Sequence, residues 1–325
     1  MNYDKLLKKK KLLDSYRPLP AELVINLDSW FRVELTYTSN ALEGNALTRR
    51  ETALVVEKGI TVGGKSLVEH LEATNHAKAL DWVIAQVKEE PCSLTQKDIL
   101  HIHEVVLKGI DDDNSGHYRR VPVRISGSTV ILPNPRKVPD LMSEFIEWLH
   151  QADKLNPVEL AGEAHYRLVS IHPFVDGNGR TGRLLMNMIL LMSGFPAAII
   201  RKRDRLAYIT SLENPQLGGS KNDYLKLIEK AVDRSLNIYL SAMTDEAATF
   251  QDSDDLFKIG ELVKKTRENH STLRHWTKLG LIKVVDLTKA GYQLYDNSTV
   301  EQVKKIQALK SQRFTLKEIK EKLRW

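Results

Sequence analysis

The chain has 325 residues, 42% hydrophobic and 28% charged, with a formal net charge of +6. That length and balance exclude a predominantly disordered polymer and leave room for one large domain with a proper core plus a small one. A single cysteine, Cys92, excludes an intrachain disulfide framework, and the opening Met1-Asn-Tyr-Asp with Lys8–Lys11 close behind carries no secretion or membrane-spanning pattern, which predicts a cytoplasmic protein without membrane contact.

Charge is unevenly spread. Residues 256–325 hold 16 Lys and Arg against 7 Asp and Glu, whereas the preceding 255 hold 32 against 35. A basic tail on a mildly acidic body predicts that only the tail meets a polyanion, although a solvated lysine-rich surface has the same charge.

In chain order, most of the first 250 residues predict helix, because apolar residues recur at three- and four-residue spacing, as in Leu141, Phe145, Trp148 and Leu149. Ser39-Asn-Ala-Leu-Glu43-Gly44 reads as a helix end closed by glycine. Val121–Pro135 has two short β-prone runs around Ser126-Gly127-Ser128, which predicts a hairpin over 123–132, terminated by Pro133, Pro135 and Pro139.

Residues 172–183 read His-Pro-Phe-Val-Asp-Gly-Asn-Gly-Arg-Thr-Gly-Arg. His172 follows the helical stretch Tyr166, Leu168, Val169, Ile171, and Pro173 breaks that helix, leaving an imidazole at the start of a loop. Gly177 and Gly179 flank Asn178 just before an amphipathic helix, so a backbone nest and a helix N-terminus combine into an anion site. Arg180 and Arg183, three apart, share one face of the first turn, placed for further phosphates. Asp176 is a hard-oxygen ligand suited to Mg²⁺.

The motif at 172–183 resembles that of the Fic family, H-x-F-x-D/E-G-N-G-R-x-x-R, at every position, and Gly116-His-Tyr-Arg119 with Val121-Pro-Val resembles the run before that family's flap. The resemblance spans roughly residues 30–235. It implies a helical domain that transfers AMP from Mg-ATP to a Ser, Thr or Tyr hydroxyl of a target protein or of itself. In that role His172 is the general base, Asp176 holds Mg²⁺, and Gly177, Asn178, Gly179, Arg180, Thr181, Gly182 and Arg183 surround the nucleotide, with Tyr224 nearby. The hairpin becomes a flap that docks a target strand through Ser126, Thr129 and Ile131. Ser39 and Glu43 resemble the family's inhibitory motif, S/T-x-x-x-E-G/N, in which the glutamate pairs with the second motif arginine, here Arg183. A related possibility within the same family is removal of AMP by the same site.

The polar, acidic stretch Asp245–Asp255 marks a boundary. Beyond it, helix, turn, helix and a β-prone return predict a winged helix-turn-helix. The order I-G-E-L, T-L-R, L-G-L-I and G-Y-x-x-Y resembles the MerR type of DNA-binding domain, with Gln293 standing where that family usually carries arginine. By that resemblance Ser271–Lys278 is the recognition helix, with Ser271, Thr272, Arg274 and Lys278 toward DNA, and Lys283–Lys289 is the wing.

The expected organisation is therefore mainly α: residues 1–110 a helical region with the inhibitory helix, 111–245 the Fic core, and 246–325 the winged helix. An autoinhibited adenylyltransferase is the first reading, with a homodimer compatible with it. The second is a transcriptional regulator whose Fic domain senses nucleotide.

Overall fold

The computed structural model describes residues 3–88, 94–152, 154–243, 257–284, 286–287, 292–295, 297–312 and 314–322. Cys92, the expected boundary at Asp245–Asp255 and part of the wing at Lys283–Lys289 lie outside the described residues. Contacts divide the chain into two units, 1–246 and 247–325.

The regular elements among the first unit's described residues are helices: α1 (Tyr3–Ser15), α2 (Ala21–Glu43), α3 (Arg49–Lys58), α4 (Leu67–Lys88), α5 (Gln96–Leu107), α6 (Val138–Gln151), α7 (Pro157–Ile171), α8 (Asn178–Met192), α9 (Arg205–Gln216) and α10 (Asn222–Met243). Its centre is α8, where Leu184–Leu190 is buried on all faces, as expected of a helix that is apolar all round. α7 lies along α8, and Gly162 lets α7 approach α10 so closely that a Cβ there would sit 3.2 Å from the Leu225 side chain.

α2 is long and its exit is fixed. Gly44 adopts φ 105°, a left-handed C-cap that few other residues tolerate, and its N–H returns to the Ala41 and Asn40 carbonyls. Beyond it, the Asn45 N–H donates to the Asn40 carbonyl at 3.1 Å, and the Asn45 side chain donates to the Glu69 carbonyl and to Glu72 Oε2 on α4. The end of α2 is thus tied to α4 by hydrogen bonds as well as packing.

The segment expected as a β-hairpin has the turn without the strands. The Ser128 N–H donates to the Ile125 carbonyl at 3.1 Å around Gly127 at φ 79°, but the arms form no ladder. Three features explain this. Pro122, Pro133 and Pro135 lack N–H donors, the Val121 and Pro133 carbonyls accept from Arg119, and the Val130 N–H donates to Ser128 Oγ. An isolated two-stranded ladder is marginal in any case.

The second unit contains β1 (Phe257–Lys258), α11 (Ile259–Thr266), α12 (His270–Lys278), β2 (Asp286–Leu287), β3 (Gln293–Tyr295), α13 (Asn297–Ser311) and α14 (Leu316–Lys322). The strands form an antiparallel sheet in the order β1-β3-β2, pairing Phe257 with Tyr295 and Leu287 with Gln293. Leu262, Leu273, Trp276, Tyr295, Val303 and Ile319 make a core of its own.

Candidate active site

α7 delivers His172. Asn156 caps the helix by accepting the Val158 N–H at 3.0 Å, Pro157 occupies its first position, and the helix closes at His172 with φ 51° and ψ 60°. A histidine in the left-handed region is strained and must be held. Arg119 does so: its Nε donates to the His172 carbonyl and its Nη2 to the Pro133 carbonyl, each at 2.7 Å, while its backbone N–H donates to Pro173 at 2.8 Å. One buried guanidinium therefore joins the His172 turn to the flap.

The Nδ1 of His172 lies 3.3 Å from the Val169 carbonyl. A carbonyl only accepts, so the neutral ring carries its proton on Nδ1 and leaves Nε2 as an acceptor. Burial lowers the His172 pKa against the opposing pull of the Val169 carbonyl, Asp176 and Glu43, with Arg119 adding to the lowering. At neutral pH the side chain is an uncharged base.

The loop after it is stapled. Asn178 Oδ1 accepts the Phe174 N–H at 3.0 Å and its Nδ2 donates to the Phe174 carbonyl at 2.9 Å. Beneath lies His103, stacked on Phe174 at 3.6 Å and 5°, accepting the Gly116 N–H on Nδ1 and donating from Nε2 to the Asp176 carbonyl. Burial drops its pKa to about 4, so it is a neutral strut. Gly177, at φ 75°, has this ring where a side chain would go. The N–H groups of the first turn of α8 then point out of the helix with its positive dipole end.

Arg183 projects from that turn and is 5% exposed. Its Nε donates to Ser39 Oγ at 3.0 Å, and its Nη2 donates to the Ser39 carbonyl at 3.0 Å and to Glu43 Oε1 at 2.6 Å. Burial raises the Glu43 pKa, but Arg183, helped by Arg180 and Arg205, outweighs it and holds the carboxyl below its usual range. Glu43 is ionised and lies against Gly179, whose Cβ, if present, would collide with Oε1.

His172, Asp176, Asn178, Gly179, Arg183, Glu43 and Ser126 line one cleft of about 520 Å³, together with Tyr208, Leu212 and Glu213 of α9. Ser128 Oγ donates to Glu213 across it at 2.6 Å. The Asp176 carboxylate is 67% exposed. Among the described residues no group of three or more His, Cys, Asp or Glu could hold a metal, so a hard cation at Asp176 would complete its shell with water and oxygens of a bound ligand. A Mg²⁺ arriving with a nucleotide fits that donor set.

Several expected site residues lie elsewhere. Arg180 is buried with Nη1 on Glu72 at 2.8 Å and Nη2 on Asp176 at 2.9 Å, bracing α8 against α4 and orienting Asp176 rather than facing the cleft. Thr181 is fully buried, and Gly182 packs where a Cβ would meet His165 and Val169 at 3.1 and 3.2 Å. Tyr224 is a core residue, its hydroxyl on the Gly162 carbonyl and on His165, because its position on α10 faces α7. Thr129 is exposed, and Ile131 is 90% exposed at the flap. On α12, Ser271, Arg274 and Lys278 are exposed and Thr272 half-buried, beside the core residues Leu273 and Trp276. Glu72, His103, Arg119, Tyr208 and His165 were not among the expected site residues; only Arg119 sits in a sequence run that the motif comparison touches.

Residues 93–190 match the Fic/DOC family. A Fic domain containing signaling protein from Bacteroides thetaiotaomicron has the same fold at 30% identity and a TM-score of 0.67, covering 76% of this chain and 99% of that one. The chain belongs to the Fic family. Fic-1 (residues 134–508) from C. elegans is similar at 30% identity and a TM-score of 0.68, over 74% of this Fic chain and 72% of that one. The protein adenylyltransferase Fic of Nematostella vectensis is 39% identical over 210 residues, 64% of this chain and 48% of that protein. The chain thus spans about half the length of the curated relatives it matches. Residues 257–324 match the MerR HTH family regulatory protein.

Proposed function

We propose that this Fic chain is an autoinhibited protein adenylyltransferase. The observation that carries the reading is the uncharged His172, with Nδ1 committed to the Val169 carbonyl, in one cleft with an anion-binding helix N-terminus and Arg183. The Nε2 of His172 accepts the proton of a Ser, Thr or Tyr hydroxyl as its oxygen attacks the α-phosphorus of ATP; the bond from that phosphorus to the bridging oxygen breaks and pyrophosphate leaves. Asp176 would hold, on the protein side, a Mg²⁺ that comes with ATP and would neutralise phosphate charge. The open N–H groups at Gly179 and the guanidinium of Arg183 orient the polyphosphate, so positioning and charge complementarity contribute most of the acceleration.

Glu43 is the brake. A carboxylate at the N-terminus of α8, paired with Arg183, occupies both anion-binding elements that a nucleotide needs. Incubating the Glu43→Gly protein with Mg-ATP and measuring its intact mass tests both points: a gain of AMP supports the reading, and an unchanged mass with added protein targets also unmodified removes it.

The same proposal assigns residues 1–110 to a regulatory helical region, 111–245 to the catalytic core and 246–325 to a targeting module in the cytoplasm. Among the described residues no helix is long and apolar enough to cross a membrane. The MerR match over 257–324 and the exposed Ser271, Arg274 and Lys278 on α12 support DNA as the partner of that module.

A further inference from the structure

Behind Arg183 lies a chain of buried polar groups that the reaction as described does not use. Tyr208 lines the same cleft as Arg183 and is electrostatically coupled to it, and its hydroxyl stands 2.8 Å from His165 Nε2. The other ring nitrogen, Nδ1, is 2.8 Å from the Tyr224 hydroxyl, which in turn reaches the Gly162 carbonyl at 3.0 Å. All of these side chains are nearly inaccessible: Tyr208 is 4% exposed, and His165 and Tyr224 are 0% exposed.

The direction of every hydrogen bond follows from its far end. The Gly162 carbonyl can only accept, so the Tyr224 hydroxyl spends its proton there and accepts from His165 Nδ1–H. The neutral ring then has an unprotonated Nε2, which takes the Tyr208 proton. Tyr208 is left with its lone pairs unspent on the chain and available to the neighbouring Arg183, which can only donate. Burial keeps His165 uncharged, with its pKa pushed down to about 3, so the order of protons does not change in the working pH range.

The contacts of Arg183 with Ser39 and Glu43 both come from α2, whereas Tyr208 belongs to α9. When Glu43 withdraws, the guanidinium keeps its donations to Ser39 but loses its charged partner while it is still deeply buried, which leaves its outer nitrogens in need of a second anchor. We propose that Tyr208, aligned by His165 and Tyr224, is a positioning residue that holds the Arg183 fork toward the terminal phosphate of ATP once the brake is released. The inference rests on the adenylyltransferase reading and adds to it a dedicated mounting for the arginine, separate from the brake.

Titration calorimetry on the full chain distinguishes the two. With Mg²⁺ present, Glu43→Gly and Glu43→Gly/Tyr208→Phe are compared for ATP and for ADP, which lacks the terminal phosphate. The mounting predicts that Tyr208→Phe raises the Kd for ATP about tenfold while ADP changes by less than about twofold. Equal weakening of both nucleotides, as a merely structural role would give, overturns the proposal, and so does no change in either. If Glu43→Gly binds neither nucleotide, the nucleotide reading itself fails and the proposal with it. Should Tyr208→Phe not fold, Glu43→Gly/His165→Gln takes its place: it keeps the hydroxyl but removes its alignment, and it must show the same bias against ATP for the proposal to stand.

Discussion

Glu43 Oε1 lies 2.6 Å from Arg183 Nη2, and the same oxygen fills the space that a side chain on Gly179 would take. One carboxylate therefore covers a guanidinium and a helix N-terminus, the two anion-binding elements of the cleft. A phosphate must displace it from both. Initial rates of self-labelling with ATP are expected to rise at least about tenfold in Glu43→Gly, corresponding to a coupling of about 1.4 kcal/mol or more. Equal rates in the two proteins would show that the pair does not restrain the reaction.

His172 sets a second expectation. Replacing it with Ala in the Glu43→Gly background should lower transfer by about 10²–10⁴-fold, the usual contribution of a general base, with ATP binding retained in calorimetry. The pH profile carries a sign. Because the folded pKa lies below the ordinary histidine value, the base stays neutral further into acid, and kcat/KM should fall only below about pH 6.5. An acidic limb centred above that value would contradict the buried, uncharged imidazole.

Three other histidines bear on stability. His76 and His165 are pushed down to about 3 and His103 to about 4, in each case chiefly by burial. In the unfolded chain they titrate near the ordinary value, so between about pH 6.5 and 4 the unfolded state binds more protons and stability falls as pH drops. Each fully titrating site contributes about 1.4 kcal/mol per pH unit. Thermal unfolding between pH 7 and pH 5 should show a falling midpoint, with a shallower slope in His103→Gln. A flat profile would mean that these rings are not buried neutral.

Glu72 holds Arg180 with one oxygen and Asn45 with the other, so it links the start of α8 to the loop that follows α2. Among the described residues, Glu72→Ala leaves a guanidinium that is 3% exposed with Asp176 as its remaining ion-pair partner. The expected loss is about 2–4 kcal/mol, measurable by urea unfolding, because a buried charge is left half-compensated. A loss as small as that of a surface ion pair would place Arg180 in water.

For the second unit, a mobility-shift titration of the full chain against duplex DNA at several salt concentrations is the relevant measurement. Arg274→Ala and Lys278→Ala should each reduce the salt slope by about one if both contact phosphate. No shift at low salt would assign the basic surface to another partner or to solvation.

The groups proposed to react are readable in the sequence because they are local: twelve consecutive residues hold His172, the turn into α8 and Arg183, and the six-residue run ending in Gly44 holds Glu43. What it conceals is pairing at long range. Nothing in the periodicity of α4 connects Glu72 to Arg180, 108 residues away, or Tyr208 to His165. Arg180 and Arg183 share a helix face by spacing, yet one is absorbed by two carboxylates and the other opens on the cleft. The hairpin failed for a related reason: β-prone residues mark extended chain, while pairing depends on where prolines and a neighbouring arginine leave the backbone donors and acceptors. Tyr224 likewise shows that a residue near a site in sequence register can be part of its foundation.

The helix bearing Glu43 also bears Leu27, Phe31, Leu35 and Leu42, all buried, and three of these belong to the main core. Stripping four such side chains from their surroundings would cost about 1.5–3 kcal/mol apiece, comparable with the entire margin by which a domain stays folded. If Glu43 restrains the reaction as proposed, departure of the whole helix is too costly a route to release it. On that reading the on and off forms would share one backbone up to the last turn before Gly44 and differ in the torsion angles of the Glu43 side chain, so a modest contact at the helix end would be enough to release the brake.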